Sequence, residues 1–515
     1  MSPRRRSVFS VFARLVAIGV VGLVLLIGGL VAGAWMLFGP TDTVGEVDFD
    51  TELVIPPLAE STVDEQGRRV FDLTSQEGSL DLSEGSVQTW GFNGDYLGPT
   101  LRAERGEQVL VRYRNELGEA STVHWHGMHL PAAMDGGPHQ LVDPGGTWEP
   151  TWTVDQPAAT LWYHPHPHGE TMDHVARGLA GMFIVDDPGQ QVELPSDYGV
   201  DDLPVIVTDP RSSSGEIETS SDFGDRLLVN GTEGPYAEVS TELIRLRLLN
   251  GSPMRVYNFQ LDDGSAMVQV ASDGGLLPAP VETTGVRLSP GERAEVLVAL
   301  DPGETRVLRS IAPDLGQNVI TERFSGGEDR FDVLELRAAP DLADSPDVPT
   351  ELAPDIVTHA GDPGAVDVTR EFRLSGRQIN GSRMQMDHAD EVVTLGSTEV
   401  WEVTNTGGEF HSFHVHDVQF RVLSVDGREP PPELAGLKDT ILAEDGVTYR
   451  LLMTFTDYAD ARTPYMYHCH LLTHEDQGMM GQFVVVEEGQ QPDLRGHDAG
   501  VGTQGHDGTR AHAGH

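Results

Sequence analysis

The chain has 515 residues, with 34 Lys and Arg against 81 Asp and Glu, a formal net charge of −47 at neutral pH. That balance excludes a generic nucleic-acid binder, which neutralises phosphates with cationic side chains. The length exceeds one small core, so two to four domains are expected.

An acidic surface keeps a chain soluble and attracts cations, so it reads either as solubility or salt adaptation or as steering of metal ions and cationic substrates. One cysteine, Cys469, excludes any intramolecular disulfide and leaves the fold to rest on burial.

From the N-terminus, Arg4, Arg5 and Arg6 precede a stretch that is uncharged from Leu15 to Phe38. Its length suits a bilayer span with the basic flank in the cytoplasm. Residues 1–40 therefore read as a transmembrane helix anchoring the chain. A cleaved signal is the alternative, because Ala32-Gly33-Ala34 resembles a signal-peptidase site and Arg5-Arg6-Ser7-Val8-Phe9 a twin-arginine signal. Either reading places the remainder on the extracytoplasmic side, at the membrane or released from it.

Beyond the anchor, 58 Gly and 33 Pro punctuate short apolar runs without helical periodicity. Val109–Tyr113, Leu243–Leu249 and Val296–Leu300 read as strands bounded by turn residues. An all-β protein built of sandwiches is expected. Linker composition divides it into β domains at 41–188, 201–338 and 364–488, with a Pro/Asp-rich link at 339–363. Residues 489–515 are too polar to pack and read as a disordered tail, whose His497, His506, His512 and His515 could chelate metal loosely.

Four clusters carry the chemistry: His124-Trp125-His126, His164-Pro165-His166, His411-Ser412-Phe413-His414-Val415-His416, and His468-Cys469-His470 continuing to His474 and Met479. On a strand, residues i and i+2 share a face, so each H-x-H pair presents two imidazoles side by side. Imidazole suits copper and zinc, and added thiolate and thioether ligands shift the preference toward copper. Cys469 points away from His468 and His470. A metal on the cysteine is thus wired through the backbone to metals on its neighbours, on the order of 10–15 Å away by side-chain reach. Two His, one Cys and a weak Met make an electron-transfer copper site, and His411, Cys469, His474 and Met479 supply that set.

All four clusters resemble the copper-binding signatures of the multicopper oxidases. Asp135-Gly136-Gly137-Pro138, Gln156-Pro157-Ala158-Ala159-Thr160 and Gly178-Leu179-Ala180-Gly181 extend the likeness to three-domain bacterial members of the copper-efflux, bilirubin-oxidase and laccase type. The resemblance implies three cupredoxin-like Greek-key β-sandwiches and four copper ions. His411, Cys469, His474 and Met479 would bind the type 1 copper, and His124 and His414 the type 2 copper. His126, His164, His166, His416, His468 and His470 would bind the type 3 pair. His168 offers a third histidine beside His164 and His166, which are preferred. His129, His139, His174 and His388 match no ligand position and read as surface or supporting residues. The middle domain would be mainly a spacer and part of the substrate surface.

The family further implies that donors give electrons singly at the type 1 copper, and that Cys469 passes them through His468 and His470 to reduce dioxygen to water. Asp135 and Glu475 fall where relatives carry proton-delivering acids. Phenols and aromatic amines are the expected donors, with copper(I) oxidation in copper tolerance as the rival. Met384, Met386, Asp387 and His388 could form a reduced copper(I) site, or simply pack. A non-catalytic scaffold, as in division proteins that resemble these oxidases but lack copper ligands, is the reading from another class. Oligomeric state is not specified by the sequence.

Overall fold

A computed structural model describes residues 39–190 and 192–494, with scattered positions between 12 and 33. The expected span Leu15–Phe38 lies only partly among them. Residues 18–23 are helical there, and no helix among the described residues is long and apolar enough to cross a membrane. The tail histidines fall outside the described residues.

Strands dominate, joined by short helices such as Thr171–Ala176, Val319–Phe324 and Leu472–Asp476. Alternation builds the outer strands. Along Gln108–Asn115, Val109, Val111 and Tyr113 point inward and are wholly buried, while Arg112 and Arg114 face out. Two of the apolar runs read as strands fall in Gln108–Asn115 and Leu243–Asn250, and the third lies in Arg293–Ala299 except for Leu300, just past its end.

The sheets pack in pairs around separate apolar cores. One core holds Phe71, Leu73, Val111, Trp125 and Phe183, a second Val205, Leu246, Phe259 and Val296, and a third Phe372, Trp401, Phe413 and Tyr467. Strands also cross between the pairs. Thr51–Glu52 runs parallel to Pro235–Thr241, and Glu216 pairs with Gln88. One device recurs in all three layers. The buried amides of Asn115, Asn250 and Asn405 each donate to two backbone carbonyls, tying a strand end to the loop that follows it.

Strands that meet other layers lose the alternation, because both faces are covered. Ala159–His164, His411–Val415 and Tyr465–Cys469 are buried at every position. In their sheets His124 lies opposite His164, and His414 lies opposite both His468 and Thr440. The clustered histidines therefore sit at the inner edges of the first and third sandwiches, where the two face each other.

Candidate metal centre

Strand Tyr465–Cys469 ends at the cysteine, and the chain then enters helix Leu472–Asp476, which carries His474. Cys469 Sγ lies 3.4 Å from His411 Nδ1 and 3.6 Å from His474 Nδ1, and the two imidazole nitrogens are 3.2 Å apart. Met479 is wholly buried; its N–H donates to the His474 carbonyl and its own carbonyl accepts from the Cys469 N–H, both at 3.0 Å. Burial holds His411 at about 3 and His474 at about 2, and pushes the Cys469 thiol up to about 12. Both imidazoles are thus neutral at pH 7 and ready to ligate, while the thiol keeps its proton until a cation replaces it.

The other eight histidines converge between the first and third sandwiches, and all are at most 1% exposed. His124, His126 and His164 bring ring nitrogens together, as do His124, His414 and His416, and His166, His416 and His468, within 4.8 Å in each set. His468 Nε2 stands 3.2 Å from His416 Nε2 and 3.3 Å from His166 Nε2. Burial first, and neighbouring imidazoles second, hold His126, His164, His414 and His416 well below the usual histidine range. Rings kept neutral with lone pairs aimed at one another cannot satisfy each other by hydrogen bonding. Bound cations resolve that conflict, so the donor set fits copper.

Opposite ring nitrogens are tethered. His124 Nδ1 donates to the Asp135 carbonyl at 2.9 Å, His164 Nδ1 to the Pro165 carbonyl at 2.8 Å, and His414 Nδ1 to the Asp439 carbonyl at 2.9 Å. Their Nε2 atoms are buried without a hydrogen-bond partner. His126 is reversed, with Nε2 held and Nδ1 free. Only the first H-x-H pair lies wholly on a strand, since His166, His416 and His470 each fall just past a strand end. The shared face expected from strand spacing is completed by the turn that follows.

Both expected acids are in place. Asp135 is buried, and its Oδ2 accepts from His416 Nδ1 at 2.7 Å. Gly136, at φ +78°, lets this turn lie against the strand bearing His124, because a Cβ there would meet the Val123 carbonyl. Glu475 has one carboxylate oxygen 3.1 Å from His468 Nδ1 and the other 3.3 Å from His166 Nδ1. Burial acts to raise its pKa, yet these imidazoles win and hold the carboxyl well below its usual range. Each acid thus links histidines across chain segments far apart in sequence.

Sequence reasoning missed a third carboxylate. Asp439 Oδ1 accepts from His126 Nε2 at 3.0 Å, and Arg293 of the middle layer grips both its oxygens at 2.6 and 2.7 Å. The middle layer is therefore more than the spacer expected. Lys438-Asp439-Thr440 carries no ligand spacing, and nothing in the sequence pairs it with Arg293.

The remaining histidines separate clearly. His168 is exposed beyond the turn, leaving His164 and His166 as the inward pair. His174 is buried and bonded to Ser121 and Glu119, so of the two readings, surface or supporting, it takes the second. His129 is buried against Asp417, and His139 Nε2 contacts Gln482 Oε1 at 2.5 Å. Met384 packs with Met466 and Met480, whereas Met386, Asp387 and His388 are exposed.

Family profiles described as multicopper oxidase match residues 74–190 and 355–489. A multicopper oxidase of Staphylococcus epidermidis is 33% identical over 84% of this chain and 92% of its own length. The cell division protein FtsP of Sodalis glossinidius is 37% identical over 84% of this chain and 92% of its own. The crystal structure of a laccase from Pediococcus acidilactici matches with a TM-score of 0.77 at 33% identity, covering 85% of this chain and 94% of that one. The all-β architecture is thus the cupredoxin-like one of these proteins, and a copper-binding oxidoreductase ancestry accounts for the buried imidazole constellation. This chain belongs to the multicopper oxidase family.

Proposed function

We propose that the protein is an oxidase of laccase type, coupling one-electron oxidation of phenolic and aromatic-amine donors to four-electron reduction of dioxygen to water. The observation that carries this reading is the complete donor set: a buried His-Cys-His site with Met479 beside it, joined by one backbone segment to eight converging imidazoles. His411, Cys469, His474 and Met479 would hold one copper ion. His124 and His414 would hold a second, and His126, His164, His166, His416, His468 and His470 a pair. Copper supplies the one-electron redox chemistry and dioxygen binding that no side chain here can provide.

The chain's own part is orientation, exclusion of water and proton supply. Cys469 lies between His468 and His470, so the thiol site and the histidine cluster share a continuous covalent path. Asp135 and Glu475 hold ring nitrogens of His416, His468 and His166 turned away from the cluster's centre. Their carboxylates stand within reach to relay the protons that oxygen reduction consumes. The anchor-like residues 1–40 support an extracytoplasmic location.

Oxygen uptake by the copper-loaded chain, with a phenol, an aromatic amine, bilirubin or copper(I) as sole donor, tests the reading. Turnover of phenols and amines is expected. Uptake with copper(I) alone identifies a copper(I) oxidase of extracytoplasmic copper tolerance. Absence of copper after loading identifies a non-catalytic scaffold, the possibility that similarity to FtsP raises.

A further inference from the structure

We propose that Arg293 and Asp439 form a positioning pair, contributed by the middle and third layers, that selects the ring nitrogen with which His126 meets its metal. The inference rests on the copper reading above and deepens it.

Arg293 is fully buried, and all its donors are used. Nε donates to the Thr160 carbonyl at 2.9 Å. Nη1 donates to the Gly291 carbonyl at 3.0 Å and to Asp439 Oδ1 at 2.7 Å. Nη2 donates to the Asp273 carbonyl at 3.0 Å and to Asp439 Oδ2 at 2.6 Å. Thr160 lies on the strand ending at His164, and Gly291 packs against the ring of His470. One guanidinium therefore joins elements of all three layers beside the cluster.

The geometry restricts Asp439 to one role. Arginine has five N–H donors and no acceptor, so a fork placed on both carboxylate oxygens leaves them only as acceptors. His126 Nε2 lies 3.0 Å from both Asp439 Oδ1 and Thr440 Oγ1; with the Thr440 hydroxyl donating to Oδ1 at 2.8 Å, Nε2 carries the proton and donates it. The lone pair remains on Nδ1, which is buried without a partner. His124, His164 and His414 reach the opposite tautomer by donating from Nδ1 to backbone carbonyls. His126, like His416 with Asp135, thus depends on a side chain where His124, His164 and His414 use backbone. Gly127 leaves room for the device: at φ +83°, a Cβ would stand 2.5 Å from Asp439 Oδ2 and 2.7 Å from Arg293 Nη2.

Three full-length proteins test the pair: wild type, Arg293→Lys, and the double variant Arg293→Gln/Asp439→Asn, which removes both charges together so that neither is left unpaired. Readouts are copper retained against a competing chelator, the electron paramagnetic resonance of the non-blue copper, and the thermal midpoint of metal-free protein. In both variants the blue absorption of the Cys469 site should persist while cluster copper affinity falls about 10–100-fold, with an altered non-blue signal. Arg293→Lys keeps the charge but not the fork. Restoration of wild-type affinity by lysine, or unchanged copper retention and resonance in both variants, overturns the proposal. If the double variant fails to fold, Arg293→Lys decides alone. Failure of the wild type to take up copper defeats the proposed function itself, whereas normal wild-type loading with unaltered variants defeats only this pair.

Discussion

Replacing His129 by Gln keeps a hydrogen-bond donor at this position but removes a charge from the boundary between the first and third sandwiches. His129 Nδ1 donates to Asp417 Oδ1 at 2.8 Å, Nε2 lies 3.4 Å from Asp457, and the ring packs on Tyr458. Burial pushes its pKa down, but Asp417 and Asp457 together outweigh burial and raise it to about 9. From the ordinary 6.5, a rise to about 9 corresponds to about 3 kcal/mol at 1.36 kcal/mol per unit. The cost of removing one partner from a buried pair, about 3–5 kcal/mol, agrees. A raised histidine pKa contributes stability that is full below about 6.5 and is lost as pH rises through about 9. Urea unfolding of copper-loaded wild type and His129→Gln between about pH 6 and 10 should show a gap of about 3 kcal/mol at the acid end. That gap should shrink from about pH 6.5 upward and be nearly gone by about 9. A gap that stays constant with pH refutes the charged-pair account, and no gap refutes any role for the contact.

Three further outcomes follow from the site. Glu475→Gln and Asp135→Asn should each lower oxygen uptake about 10–100-fold with copper content and blue absorption retained; undiminished uptake in both variants would rule out the assigned roles. Cys469→Ser should abolish the blue absorption while copper remains in the histidine cluster, and unchanged colour would show that the thiol holds no copper. Gly127→Ala forces a Cβ toward the Asp439–Arg293 contact at positive φ and should cost about 1–3 kcal/mol, read as a lowered thermal midpoint; an unaltered midpoint would show that the neighbouring side chains yield freely.

Much of this architecture was legible because local chemistry carries it. Alternation at Val109, Val111 and Tyr113 specifies a half-buried strand wherever that strand ends up. The tight spacing of His468, Cys469, His470, His474 and Met479 brings five candidate ligands and a sharp turn into one segment, so their proximity needs little tertiary help. Strand spacing alone did not foresee that His166, His416 and His470 lie just past strand ends. Those ends depend on pairing partners, not on the residues themselves.

The sequence by itself determined the donor inventory, the β class and the division of donors into a thiol-containing set and an all-histidine set, because ligand identity and short-range spacing are covalent properties. Tertiary structure decided which nitrogen of each ring is free, that His168 faces solvent while His174 does not, and that Arg293 reaches across to Asp439. These contacts join residues far apart in sequence, as His126 does with Asp439 and His416 with Asp135. No local pattern encodes such pairings. They exist only once burial has brought the three layers together and each buried polar group must find a partner.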